Sequence, residues 1–194
     1  MSKGRLEAFS DGVLAIIITI MVLELKAPRE PQWSALAPMI PTFLCYVLSF
    51  VFVGIYWNNH HHLFQAVQIV NGPILWANLH LLFWLSLTPF VTNWMGETTF
   101  ATLPVASYGG VQLMAGFAYF ILCRVLIAYH GQDSKLALAV GRDMKGMLSM
   151  VIYAMAIALA FAEPLVTCGL YALVALMWLV PDRRIESVLQ KPEE

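Results

Sequence analysis

The chain has 194 residues, 60% of them hydrophobic and only 12% charged, and its mean hydropathy is +0.72. Soluble domains carry roughly a quarter charged residues, so this composition is that of an integral membrane protein in a lipid bilayer. The net charge of −1 leaves no basic footprint, and no nucleic-acid partner is expected.

The first apolar segment runs from about Glu7 to Leu25, and from Phe9 onward only Ser10, Asp11, Thr19 and Glu24 interrupt it. A helix of roughly 20 residues spans a hydrocarbon core of about 30 Å. Asp11 lies inside this span near one end, where a carboxylate is costly unless it is paired or wet, so it reads as functional by default. Counting about 100° per residue puts Gly12, Ile16, Thr19, Ile20 and Leu23 on one stripe. Glu7, Asp11, Ala15, Ile18 and Val22 fall on the opposite side. Pro28 and Pro31, with the charges between them, end the segment.

The second segment runs from about Ser34 to Trp57, with Trp33 and Tyr56-Trp57 at its interfaces. Pro38 and Pro41 fall in its first turns, where a missing N–H matters least. Asn58-Asn59-His60-His61-His62 follows. Three consecutive histidines on a helix point in three directions, so they cannot all hold one ion, and no metal is expected. One buried histidine beside interfacial ones is the expectation.

The third segment runs from about Pro73 to Thr92, carries Asn78 and His80 in its first half as further buried polar candidates, and should kink or end at Thr88-Pro89. The fourth runs from about Leu103 to Tyr129, long enough to tilt or project, with Arg124 placed to snorkel. A polar connection from His130 to Lys145 follows. The fifth runs from about Met147 to Ala162, where Ala154, Ala158 and Ala162 would allow close helix approach. Glu163-Pro164 forms a turn, and the sixth segment runs from about Leu165 to Val180 before a polar tail.

The cysteines, Cys45, Cys123 and Cys168, fall inside apolar segments without metal-type spacing and read as reduced packing residues. Glu7 and Asp11 interrupt the N-terminal region, so a cleavable signal is not expected. Residues 1–194 parse as one six-helix membrane domain. With six spans, Lys3, Arg5, Lys135, Arg142, Lys145, Arg183, Arg184 and Lys191 gather at one face, against Lys26 and Arg29 at the other. The positive-inside rule then puts both termini in the cytoplasm.

Arg5, Phe9, Ser10 and Asp11, in the register Arg-x-x-x-Phe-Ser-Asp, resemble the first-helix signature of the transmembrane protein 175 family of potassium channels. Its prokaryotic homologues share that motif. The likeness extends over most of the chain: six hydrophobic segments, a Trp-x-x-His-His end to the second, and an Asn in the third. The resemblance implies an all-α polytopic fold whose first helix lines a central pore. It implies a narrowest ring at the bulky aliphatic residue five positions after the motif Asp, Ile16, then Thr19 or Ile20, then Leu23. The stripe counted above falls on the same residues. It also implies that one of His60, His61 and His62 bonds to the Arg/Ser/Asp cluster. Mammalian relatives carry two six-helix repeats and this chain one, so a pore needing four first helices implies a homotetramer in the plasma membrane. Monovalent cations are then its partners, K⁺ is the permeant ion, and there is no cofactor.

No Ser-His-Asp arrangement, His-Glu-x-x-His, Gly-rich phosphate loop or paired intramembrane aspartate is visible, so the chain is not expected to be an enzyme. Nor is there a Thr-Val-Gly-Tyr-Gly filter. Selectivity and gating would come from a hydrophobic constriction that strips or expels water, with Thr19 hydroxyls as partial replacement ligands. Arg5 and Asp11 are six apart, too far for a pair on one straight helix. Asp11 is expected to bond near Ser10 or to a His or Asn of segments two or three. The alternative is a secondary transporter of a small solute or ion. Pro89 and Gly109-Gly110 hint at broken helices, but no acidic residue sits at mid-span to couple ions.

Overall fold

The computed structural model describes residues 2–131, 134, 136, 137, 141 and 143–179, and these are all-helical apart from turns and connections. Helix α1 is Lys3–Leu23. A 3₁₀ stretch, Trp33–Met39, contains Pro38 and leads into α2, Ile40–Gln65, with Pro41 in its first turn. Helix α2 therefore continues eight residues past the expected end at Trp57 and takes the three histidines with it. The drop in hydropathy at Asn58 marks the edge of the apolar span, whereas no proline or glycine stops the helix before Gly72.

Helix α3, Gly72–Ser86, is capped by the Asn71 carboxamide oxygen, which accepts from Ile74 N–H at 3.2 Å. Pro89, lacking an N–H, breaks the ladder, so α4, Thr88–Glu97, follows as a separate rod of the same bent pass. Helix α5 is Thr102–His130, α6 is Met144–Leu159 and α7 is Pro164–Leu179. The Asp143 carboxylate accepts from Gly146 N–H at 2.8 Å and starts α6 three residues before the expected Met147. Val180 and the basic residues Lys135, Arg142, Arg183, Arg184 and Lys191, on which the orientation leans, lie outside the described residues.

Among the described residues, four stretches are long and apolar enough to cross a membrane: α1, the 3₁₀ stretch with α2, α3 with α4, and α5. Helices α6 and α7 are shorter apolar rods of 16 residues. Helix α5 runs through two apolar cores. One gathers Leu14, Ile17, Leu63, Leu81 and Leu122 from α1, α2, α3 and α5. The other gathers Phe52, Val91, Tyr108, Tyr153 and Tyr171 from α2, α4, α5, α6 and α7. Ser49 Oγ and Thr92 Oγ1 lie 2.7 Å apart in the second, and Ser49 Oγ also donates to Tyr108 Oη at 3.1 Å. Ala154, Ala158 and Ala162 face outward, and Tyr153, Ala156 and Ala160 pack instead, because the bulky Tyr153 sets the phase of α6. Cys45 and Cys123 are buried, Cys168 is half-buried, and all three are free thiols.

Candidate pore helix and its polar anchor

The apolar run of α1 is continuous, so its helix is unbroken, and what distinguishes its faces is contact with the other helices. Leu6, Ser10, Leu14, Ile17 and Met21, at successive spacings of four, four, three and four, form the buried face. Ile16, Ile20 and Leu23 are 60%, 42% and 72% exposed, and Thr19 is exposed with them. The stripe expected from the sequence is thus the face that α1 turns away from its own chain. The opposite face is centred on Ser10 rather than on Asp11, a rotation of one residue. Asp11, Ala15 and Val22 are exposed flank positions.

Ser10 is fully buried because it belongs to a polar chain across three helices. Its Oγ donates to Leu6 O at 2.9 Å and accepts from Asn78 Nδ2 at 3.0 Å. Asn78 Oδ1 faces His60 Nε2 at 2.8 Å. With the carboxamide nitrogen committed to Ser10, Oδ1 is an acceptor, so His60 Nε2 carries its proton. The His60 ring also stacks on Phe64, with centroids 4.5 Å apart. One polar residue each from α1, α2 and α3 meets here, all of them buried.

Asp11 bonds elsewhere than expected. Its Oδ1 accepts from Trp57 Nε1 at 3.0 Å, in an exposed position. An indole at the membrane interface supplies a donor while its ring stays in apolar surroundings, and the carboxylate stays wet. Trp57 stacks on His61, whose Nε2 meets Gln65 Nε2 at 2.9 Å, and the Gln65 carbonyl accepts from Lys3 Nζ at 3.3 Å. This seam fastens α1 to α2 along the flank beside the anchor. Nothing in the sequence separated Trp57 from the other interfacial aromatics as the partner of Asp11.

The remaining candidates are not drawn in. His62 is half-buried, and its Nδ1 has no partner among the described residues. His80 Nε2 accepts from Trp84 Nε1 at 3.0 Å on the same helix. The Arg5 side chain is exposed and makes no hydrogen bond or ion pair with the described residues, so of a neighbouring helix and the aqueous phase, the two destinations open to it, it takes the second within the chain. Phe9 is half-exposed beside a groove lined by Leu6, Leu75 and Leu79. Thr19 Oγ1 donates to Ala15 O at 2.9 Å, which satisfies its proton and leaves its lone pairs facing outward. Among the described residues no three His, Cys, Asp or Glu side chains converge to hold a metal.

Comparison with known proteins adds a second line. Residues 5–89 match the family model described as "Endosomal/lysosomal potassium channel TMEM175". A Chryseobacterium protein named as a potassium channel is 58% identical over 98% of this chain and 100% of its own. A Streptomyces collinus protein, also named as a potassium channel, is 31% identical over 91% of both chains. The fold matches the crystal structure titled as a lysosomal potassium-selective channel TMEM175 homolog from Chamaesiphon minutus. That match has a TM-score of 0.80 at 27% identity and covers 92% of this chain and 96% of the other.

Proposed function

The chain belongs to the transmembrane protein 175 family of potassium channels, and on that premise we propose that four copies of it form a K⁺-permeable cation channel whose pore is lined by α1. Each copy contributes one six-helix domain spanning residues 1–194, and the assembly sits in the plasma membrane with both termini in the cytoplasm. The observation that carries the reading is the pairing of two faces on one helix. The Ser10–Asn78–His60 chain fixes the rotation of α1, and that rotation presents Ile16, Thr19, Ile20 and Leu23 away from the protomer. Four-fold symmetry brings one residue per turn of such a stripe to a common axis. Ile16 then forms the narrowest ring and Ile20 or Leu23 a second constriction. An aliphatic ring a few ångströms wide holds water poorly, so it serves as gate and as selectivity element together. Outward Thr19 hydroxyls supply partial replacement ligands for a cation that sheds water.

The test is the reversal potential of the reconstituted protein in opposed K⁺ and Na⁺ gradients, for the parent chain and two neighbouring variants. Ile16→Asn keeps the ring narrow but wettable, and should raise conductance and reduce K⁺/Na⁺ discrimination. Ile17→Asn buries a carboxamide at a position only 2% exposed, and should act on folding instead. An Ile16→Asn protein that assembles normally and conducts like the parent removes α1 from the pore. A flux that saturates like a carrier, or that requires a second solute, favours the transporter alternative.

A further inference from the structure

The outer end of α1 meets α2 and α4 around a small, partly open chamber of about 10 Å³, room for roughly one unhydrated ion or one water molecule. Its wall carries five oxygen-bearing side chains: Glu24, just past α1; Thr42 and Tyr46 on α2; and Thr92 and Asn93 on α4. Two of these lack the partner that their chemistry requires. Asn93 Oδ1 is buried and accepts no hydrogen bond from the described residues. The half-buried Glu24 carboxylate likewise makes no hydrogen bond or ion pair with them. Lys26, two residues on, is engaged by Glu97, with Nζ 3.4 Å from Oε1. The Thr92 hydroxyl is held by Ser49 and keeps a free lone pair.

We infer that this chamber is a binding site for one monovalent cation, K⁺ or Na⁺, held by the Glu24 carboxylate and Asn93 Oδ1, with hydroxyl oxygens from Thr42, Tyr46 and Thr92 around it. A carboxamide oxygen and a carboxylate can only accept, so their complement is a cation or a proton donor. A water molecule would give each a hydrogen bond but leave the carboxylate charge uncompensated at a half-buried place at the edge of the bilayer, which is costly. One carboxylate among neutral oxygens suits a single charge, whereas Ca²⁺ sites draw on several carboxylates. The chamber is also too small for an ion with its full hydration shell. Met21, from the buried face of α1, forms part of its wall, so the ion sits behind the stripe of Ile16 and Leu23 and clamps the end of α1 to α2 and α4. The site does not require that α1 line a pore.

The deciding experiment is diffraction from crystals of the intact protein with K⁺ replaced by Tl⁺, whose anomalous signal identifies the ion. A peak bonded to Glu24 and Asn93 is expected in each protomer, and it should be lost in Glu24→Gln. In solution, the parent protein should melt higher in K⁺ than in N-methylglucamine at equal ionic strength, and Glu24→Gln should lose that part of the shift which Thr19→Val keeps. In crystals also freed of Na⁺, a peak in the chamber without anomalous signal means water alone and overturns the inference. So does Tl⁺ density confined to a symmetry axis. The parent crystal gives the answer even if a variant fails to fold.

Discussion

Replacing Asn78 with leucine tests the anchor of α1 most directly. Leucine nearly fills the space of the carboxamide, so the change removes hydrogen bonds without opening a large cavity. Two bonds are lost, to Ser10 Oγ and to His60 Nε2, and the proton on Nε2 is left buried and unpaired. Interhelical hydrogen bonds in membrane bundles average about 0.6 kcal/mol and reach about 1.7 kcal/mol. An orphaned donor adds about 1–3 kcal/mol. Asn78→Leu should therefore cost about 2–4 kcal/mol. Ser10→Ala loses the bond from Asn78 Nδ2, orphaning one Nδ2 proton, and the back-bond to its own helix at Leu6 O, which counts for little, so the cost is about 1.5–3.5 kcal/mol. In the double variant no Asn78 amide remains to be orphaned, so its cost should match Asn78→Leu alone and the cycle should show coupling of about 1 kcal/mol or more. The assay is reversible unfolding of the purified protein in mixed micelles as the denaturing detergent fraction rises. The reasoning fails if Asn78→Leu costs under about 0.5 kcal/mol, or if the two changes add.

Three further outcomes are expected. A methyl group on Gly109 would run into the Tyr171 hydroxyl, which donates to Val105 O at 3.0 Å, whereas one on Gly110 meets nothing within 4 Å. Gly109→Ala should cost about 1–3 kcal/mol by overpacking, and Gly110→Ala should be neutral or stabilising by up to about 1 kcal/mol; the same unfolding assay reads both. Trp57→Phe removes the donor to Asp11 at an exposed site and should cost only about 0.5–1.5 kcal/mol while leaving K⁺/Na⁺ reversal potentials unchanged; altered selectivity would put Asp11 in the ion path. A cysteine placed at Ser2 should resist membrane-impermeant thiol reagents added to intact cells, and its labelling there would invert the proposed orientation.

The apolar segments were legible because hydropathy and proline placement act locally. Pro89 announced the break between α3 and α4, and Glu163-Pro164 announced the turn before α7. The extension of α2 to Gln65 was not, because hydropathy reports the bilayer and not the hydrogen-bond ladder. The exposed stripe of α1 could be counted from spacing alone. Its absolute phase could be fixed only to within a residue, since the apolar positions surround the helix. The side-chain partners were the least visible. His60, Asn78 and Ser10 are separated by 18 and 68 positions, and nothing in their order singles His60 out from His61 and His62. What selects it is the phase of α2: His60 shares a buried face with Ser49, Phe52 and Phe64, while His61 lies one step round on the flank with Trp57.

That one-step difference also explains why the motif needs both a serine and an aspartate. Adjacent residues on a helix diverge by about 100°, so Ser10 and Asp11 cannot serve the same neighbour. The short neutral hydroxyl can be buried, since its proton returns to Leu6 O and its lone pair meets Asn78. A carboxylate in that place would carry a charge into the apolar core with no cation to meet it. Placed one residue on, it reaches the Trp57 indole at the edge and remains solvated. Exchanging the two residues would keep the composition and lose both contacts. The pair therefore braces α1 in two directions about 100° apart, against α3 and against α2. The buried Ser10 contact sets the heading of α1 together with its packed apolar face, and the exposed Asp11 contact supplements it. A helix held in this way can keep Ile16, Thr19, Ile20 and Leu23 on a fixed heading, which a ring of aliphatic side chains needs if it is to hold one diameter.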